Sequence, residues 1–153
     1  MAVRSSTFTT VLAAGALLIT ACGGTPDTPP DAMRDPLCDE AVDHDDLAWL
    51  QQNVFTPSCS NFTVCHKGTA TMAARLNLED GMTHDSLVDV AAEAFPDYDR
   101  VVPGDAENSY LMIILGHFPG PLPEAGTMPY NSPLLCVEKR DAIQRWIEAG
   151  AQP

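Results

Sequence analysis

Apolar residues recur at the spacing of amphipathic helices in four segments of the chain, and no alternating strand pattern of useful length separates them. The first predicted helix runs from Asp45 to Phe55, and we expect Pro57 to stop it. A second, short helix is predicted from an N-cap at Thr83 through Ala94, because Thr is a favourable N-cap and Asp85 lies in the first turn. The apolar positions of these two helices are Leu47, Leu50, Val54, Leu87, Val88, Val90 and Ala91.

Two further helices are predicted in the second half of the chain, on either side of a proline-rich loop. Asp105 is expected to cap a helix over Ala106 to Leu115, which Gly116 ends. Its run Tyr110 to Leu115 is apolar all round, so we expect it to be buried on most sides. The last helix is predicted over Val137 to Ala149. The four helices together predict an all-α fold.

The N-terminal residues are typical of a bacterial lipoprotein signal. Arg4 provides a short positive region, and the apolar core over residues 11–19 is too short to span a membrane as a mature helix. The segment Ile19-Thr-Ala-Cys22 is similar to a lipobox, whose cysteine is lipidated and becomes the new N-terminus. An ordinary signal peptide is the alternative. Gly23 stands where an inner-membrane retention signal would have Asp, which favours the outer membrane of the bacterial envelope, facing the periplasm or the cell surface.

Composition divides the chain into three parts. Residues 1–21 are the predicted signal peptide, residues 22–36 a tether rich in Pro, Gly and Asp, and residues 37–153 one small domain. The formal charge is −13, and it becomes −14 without residues 1–21 because these contain one charged side chain, Arg4. Nucleic acid and anionic lipid head groups are therefore poor partners, and we expect membrane contact through the N-terminal lipid only. A basic protein partner, or simple solubility, suits the acid excess better.

The most specific chemistry lies in Cys59, Cys65 and His66. Two cysteines followed at once by a histidine form the pattern that holds a covalent c-type haem, because the thiols add to the vinyl groups and the imidazole ligates the iron. The usual pattern has two residues between the cysteines, and this chain has five. We expect the haem to lie against the third predicted helix, since that helix would otherwise have little to pack on in so short a chain.

Counting the cysteines leaves two interpretations open. With Cys22 lipidated, four cysteines remain in an oxidising compartment, and three pairings are possible if all of them form disulfides. The haem interpretation uses Cys59 and Cys65 as thioethers and leaves Cys38 to pair with Cys136. The haem-free interpretation instead closes a small loop with a Cys59–Cys65 disulfide and keeps the same second bridge.

Six short motifs follow one another along the chain: Val54-Phe-Thr-Pro-Ser-Cys59, Cys65-His-Lys-Gly68, Leu76-Asn-Leu78, Val101-Val-Pro-Gly-Asp105 with Ser109-Tyr-Leu111, Met128-Pro129, and Ile143-Gln-Arg-Trp-Ile-Glu-Ala-Gly-Ala151. In this order they make the chain from about Leu47 to Ala151 resemble the small class I cytochrome c-like domains attached to bacterial lipoproteins. The resemblance implies one haem c, with His66 as the proximal and Met128 as the distal ligand. It also implies that the first and last helices cross near the haem edge.

Met128 also suits a distal ligand on chemical grounds. Its flexible thioether can reach the iron while Pro129 restrains the backbone beside it. His117 is the alternative distal ligand and would give bis-histidine coordination. Met82 is a further candidate, whereas Met112 lies in a helix that should pack as core.

We therefore expect an envelope-anchored c-type cytochrome, an electron carrier rather than a catalyst, which exchanges single electrons with a redox protein partner. The alternative is a haem-free cytochrome c-like lipoprotein, stabilised by disulfides and acting as a binding or structural module. A structural zinc site is less favoured, because adjacent Cys and His residues in an oxidising compartment are better suited to a haem or a disulfide. Its ligands would be Cys59, Cys65 and His66 with His84 or His117.

Overall fold

The computed structural model describes residues 35–68 and 73–153. The predicted signal peptide, the predicted lipidation site Cys22 and the tether up to residue 34 lie outside these residues. Within the described ranges the fold is helix-rich, and backbone pairing beyond the helices and turns is confined to isolated bridges such as Val88 with Val101. None of the helices in this part of the chain combines the length and the apolar character needed to cross a membrane.

The folded part begins with a short helix that the sequence did not predict. Helix α1 spans Pro36–Glu40, and the carboxylate of Asp35 caps it by accepting from the backbone N–H of Leu37 at 3.0 Å. Proline suits the first helical position because its missing N–H would have no partner there. A 3₁₀ helix, Ala41–Asp43, follows directly. Pro36, which the composition placed in the tether, therefore belongs to the folded part.

The first predicted helix is present, but its geometry changes along its length. Helix α2 spans Leu47–Leu50 and is capped by Asp46, which accepts from the backbone N–H of Trp49 at 2.8 Å. It continues as a π-helix over Gln51–Cys59. The prediction that Pro57 stops the helix is wrong. Pro57 is exposed and lies inside the π-helix, where it removes one backbone donor without ending the helix.

The second and third helices are shorter than predicted. Helix α3 spans Thr83–Leu87 and ends where Val88 takes an extended conformation. Helix α4 spans Tyr110–Ile114. Asp105 does not cap it but closes a preceding turn, where its carboxylate accepts from the backbone N–H of Asn108 at 3.2 Å. The expected burial of the apolar run is confirmed, with exposed fractions of 0–8% for Tyr110, Leu111, Met112 and Ile113.

Helix α5, Val137–Glu148, is the longest helix of the described residues and agrees with its predicted range to one residue. Its buried face carries Ala142, Ile143, Trp146 and Ile147. The ring of Trp146 meets that of Phe55 edge to face, with centroids 6.5 Å apart, so the π-helix packs against α5 in the main core. Helix α5 also contacts α1, α2 and α4, and the core forms around it.

Candidate functional site

Cys59 is the last residue of the π-helix, and Cys65 and His66 lie in the loop that follows it. The backbone N–H of His66 donates to the carbonyl of Cys59 at 3.1 Å and closes the loop, while the N–H of Cys65 donates to Phe62 O at 2.9 Å. Inside the loop Phe62 and Val64 are 65% and 77% exposed. The structure therefore keeps the two cysteines on one compact turn and presents apolar side chains to solvent beside them.

The imidazole of His66 is held by the backbone of a later segment. Its Nδ1 lies 3.2 Å from the carbonyl oxygen of Ala73. Because a carbonyl only accepts, this contact favours the neutral tautomer that carries the proton on Nδ1 and the lone pair on Nε2. Histidine ligands of metals commonly donate their other ring N–H to a carbonyl or carboxylate, which fixes the tautomer and the ring orientation. The sequence did not predict Ala73 as a partner, since nothing in its residue type indicates the role.

Burial is the main cause that lowers the pKa of His66, and the positive charge of Arg100 acts in the same direction. Hydrogen bonds to the backbone of Ala73 and Leu76 act against this shift. The ring is consequently neutral at physiological pH, which is the form of histidine that ligates metals.

The backbone around His66 is fixed by contacts that bring residues 76–79 to the loop. The carbonyl of His66 accepts from the N–H of Leu78 at 2.9 Å, and the N–H of Gly68 donates to the carboxylate of Glu79 at 3.0 Å. Lys67 approaches the same carboxylate at 3.9 Å. Both side chains of this ion pair are more than a third exposed, so the pair orients the loop but contributes little stability.

Cys59 and Cys65 are both free thiols, in contrast to the other two described cysteines. Cys59 packs against the main core, and burial, with a smaller contribution from the negative charge of Cys65, raises its pKa to about 12. A thiol with this pKa is protonated at neutral pH and is a poor nucleophile. Cys59 therefore lacks the thiolate that starts thiol–disulfide exchange.

The predicted Cys38–Cys136 disulfide is present. Together with Glu138 its sulfur atoms form the only set of three His, Cys, Asp or Glu donors in the described residues whose ligand atoms lie within 4.8 Å of one another. The disulfide removes both sulfurs as thiolate ligands, so this set is not a metal site. Cys59, Cys65 and His66 do not form such a set, so their donor atoms are too far apart for one tetrahedral ion.

The candidate distal ligands occupy different surroundings. Met128 is half-buried against the same main core as Cys59, and its backbone N–H donates to Ile114 O at 2.8 Å. The Nε2 of His117 lies 2.7 Å from the amide oxygen of Gln144 and is thus a donor directed to α5. Met112 is fully buried, as predicted, and Met82 is 48% exposed.

The expectation that α4 would have little to pack on without a haem is wrong. The main core cluster joins Leu111, Met112 and Leu115, in and just after α4, to buried side chains of other elements: Leu50, Phe55, Leu78, Ile143 and Trp146. The loop between α4 and α5 covers the helix further, since Gly120 comes so close to Ile113 that no Cβ would fit. The loop offers two free thiols and a histidine, while protein side chains already fill the core around α4.

Compared with protein-family models, with curated proteins and with solved structures, the chain matches none of them. The functional argument therefore depends on the residues and their geometry.

Proposed function

We propose that this chain is a lipid-anchored c-type cytochrome of a bacterial envelope, in which Cys59 and Cys65 attach one haem and His66 and Met128 are its axial ligands. The observation that carries the proposal is the hydrogen bond from His66 Nδ1 to the carbonyl of Ala73. It places the lone pair on Nε2 of a neutral, oriented imidazole directly after two unpaired cysteines.

The residues of the chain have distinct tasks in this proposal. A haem with histidine and methionine ligands supplies a one-electron couple of raised reduction potential. His66 is held in one orientation by the backbone, and Met128 contributes a thioether from a loop whose backbone is tied to α4 at Ile114. The partner is a redox protein, and the formal charge of −13 favours a basic one.

Expression of the full chain in a host with cytochrome c maturation tests the proposal. We expect a red protein that keeps its haem after denaturation, because thioether bonds survive unfolding. H66A should abolish stable attachment. M128A should keep the haem but lower its potential and admit external ligands, while M82A, which changes a methionine that is 48% exposed, should leave the spectrum and the potential unchanged. Colourless wild-type protein from such a host would overturn the proposal.

The anchor of this proposal lies at Cys22. The acylated N-terminal cysteine of a lipoprotein carries several chains, and more than one chain is needed for stable anchoring. C22S should therefore move the protein from the membrane fraction to the soluble fraction. If the substituted protein stays with the membrane after a salt wash, the anchor is elsewhere.

A haem-free binding or structural module is the second candidate, and the filled core favours it. Protein side chains alone fill this core, where the exposed fractions of Trp146, Phe55 and Met112 are 0–1%. In this candidate Cys59 and Cys65 would form a second disulfide across their five-residue loop. Non-reducing peptide mapping of protein from the envelope distinguishes the two functions, because a Cys59–Cys65 bridge and covalent haem exclude each other.

A further inference from the structure

Arg100 connects three parts of the chain that are distant in sequence. Its guanidinium donates from Nη1 to the carbonyl of Ser86 in α3 at 2.7 Å and from Nη2 to the carbonyl of Ala74 at 2.9 Å. Its own backbone is fixed on both sides, since its N–H donates to Val90 O at 2.7 Å and its carbonyl accepts from Leu111 N at 2.9 Å. The guanidinium is therefore a fixed group whose position the surrounding backbone determines.

The segment that Arg100 holds has a strained backbone. Ala74 and Arg75 have φ values of 55° and 50°, a left-handed conformation that is unfavourable for a residue with a Cβ. Such strain persists only where surrounding contacts fix it. The carbonyl of Ala73, next to this pair, accepts from Leu76 N at 3.1 Å and from the His66 ring at 3.2 Å.

We propose that Arg100 is the positioning residue of His66: by holding the carbonyl of Ala74, it fixes the neighbouring carbonyl of Ala73 and thereby the orientation and tautomer of the imidazole. Arg100 does not need to touch the ring for this effect. The importance of Arg100 for electron transfer rests on the proposed haem function, whereas its effect on the orientation of the His66 ring does not.

Two features make Arg100 suited to this role. Its planar guanidinium donates two hydrogen bonds in a fixed geometry to the carbonyls of Ser86 and Ala74, which a single ammonium group cannot reproduce. It is also half-buried, so its hydrogen bonds compete less with water than those of an exposed side chain would.

Nitrogen NMR of the full chain produced without haem maturation tests the link. At a pH where the ring is neutral, the ¹⁵N shifts of Nδ1 and Nε2 report the tautomer, and H66Q identifies which of the four histidine signals belongs to His66. We expect the Nδ1-protonated form alone in the wild type and in R75M, which removes an exposed arginine from the same segment. R100M should show a mixture of tautomers, and R100K should restore part of the wild-type pattern.

A wild-type tautomer pattern in folded R100M would overturn the proposal. If R100M does not fold, R100Q replaces it in the experiment, because Gln keeps a polar group but cannot span both carbonyls. A wild-type tautomer pattern in folded R100Q would then overturn the proposal. In haem-loaded protein R100M should shift the reduction potential and R75M should not. A wild-type chain that takes up no haem would defeat the proposed function, while the comparison of tautomers would still decide the role of Arg100.

Discussion

At the residue scale, Lys139 is informative because it is the only charged side chain buried in the described part of the chain, with 4% of its surface exposed. Its ammonium group lies 2.5 Å from the carboxylate of Asp35. Burying a charge is unfavourable unless a partner compensates it. The contact therefore ties the start of α1 to α5.

Replacing Asp35 by Asn should lower the free energy of unfolding by about 1–2 kcal/mol, since Lys139 then loses its counter-charge while solvent near the half-exposed Asp35 limits the cost. Asn still caps α1 at Leu37. Denaturant unfolding measures the change. In D35N/K139M, where no unpaired charge remains, most of the loss should be recovered, and an equally unstable double variant would contradict the explanation.

The same pair predicts a pH dependence. The hydrogen bond from Lys139 is the main cause that lowers the pKa of Asp35, with a further contribution from the N–H of Leu37, while burial opposes both. The folded state then binds the proton less readily than the unfolded state. This part of the stability is present above about pH 4 and is lost as the pH falls through the lowered pKa. Thermal unfolding below pH 4 should consequently depend less on pH in D35N than in the wild type.

At the element scale, buried polar contacts connect the π-helix to the region of His66. The side-chain amide of Gln51 donates to the carbonyl of Leu78 at 3.0 Å, and the hydroxyl of Thr83 donates to Gln51 Oε1. Leu78 in turn donates to the carbonyl of His66. A change in the π-helix can therefore reach the loop through one hydrogen-bonded chain.

The loop between α4 and α5 is held close to α4 at Gly120. A Cβ there would lie 2.7 Å from Cγ2 and 2.8 Å from Cδ1 of Ile113, which is 3% exposed. G120A should cost about 1–3 kcal/mol of unfolding free energy because a β-branched side chain in a helix has little freedom to move away. Chemical denaturation of G120A, I113A and the double variant measures the coupling. Strictly additive losses would show that the two residues do not meet.

At the scale of the whole molecule, the Cys38–Cys136 disulfide joins α1 to the residue before α5 across a sequence separation of 98. A cross-link that closes a loop of this length lowers the entropy of the unfolded chain, which is estimated to stabilise the folded state by about 4.7 kcal/mol. Measured stabilisation is often smaller. The bridge therefore closes almost the entire folded part into one loop.

We expect C38S/C136S to lose about 2–4 kcal/mol of unfolding free energy. In protein produced without cytochrome c maturation, C59S/C65S is the matched control, since it removes two cysteines that are not bridged in the structure and should have a smaller effect. Denaturation with and without a reductant measures both variants. A reductant should destabilise the wild type and C59S/C65S but not C38S/C136S, and equal sensitivity of all three would contradict the assignment.

The helix-rich character of the fold and the position of α5 followed from local pattern. Helix α5 was predicted to within one residue because its apolar positions recur at helical spacing and Gly150, with φ 99°, follows its end. Helix α3, by contrast, ends early because Val88 pairs with Val101 and Asp89 adopts a φ of 55°. Neither feature can be read from the apolar pattern of residues 83–94.

At the candidate site, too, some features could be read from the sequence and others only from the tertiary structure. The sequence by itself singled out Cys59, Cys65 and His66 as the candidate residues, from their type and order alone. Only the tertiary structure decided how His66 is held, because Ala73 and Arg100 act through hydrogen bonds of the backbone and of a guanidinium whose partners are chosen by proximity in space. It also decided that protein side chains fill the core around α4, since the periodicity of a helix indicates which face is apolar but not what packs against it.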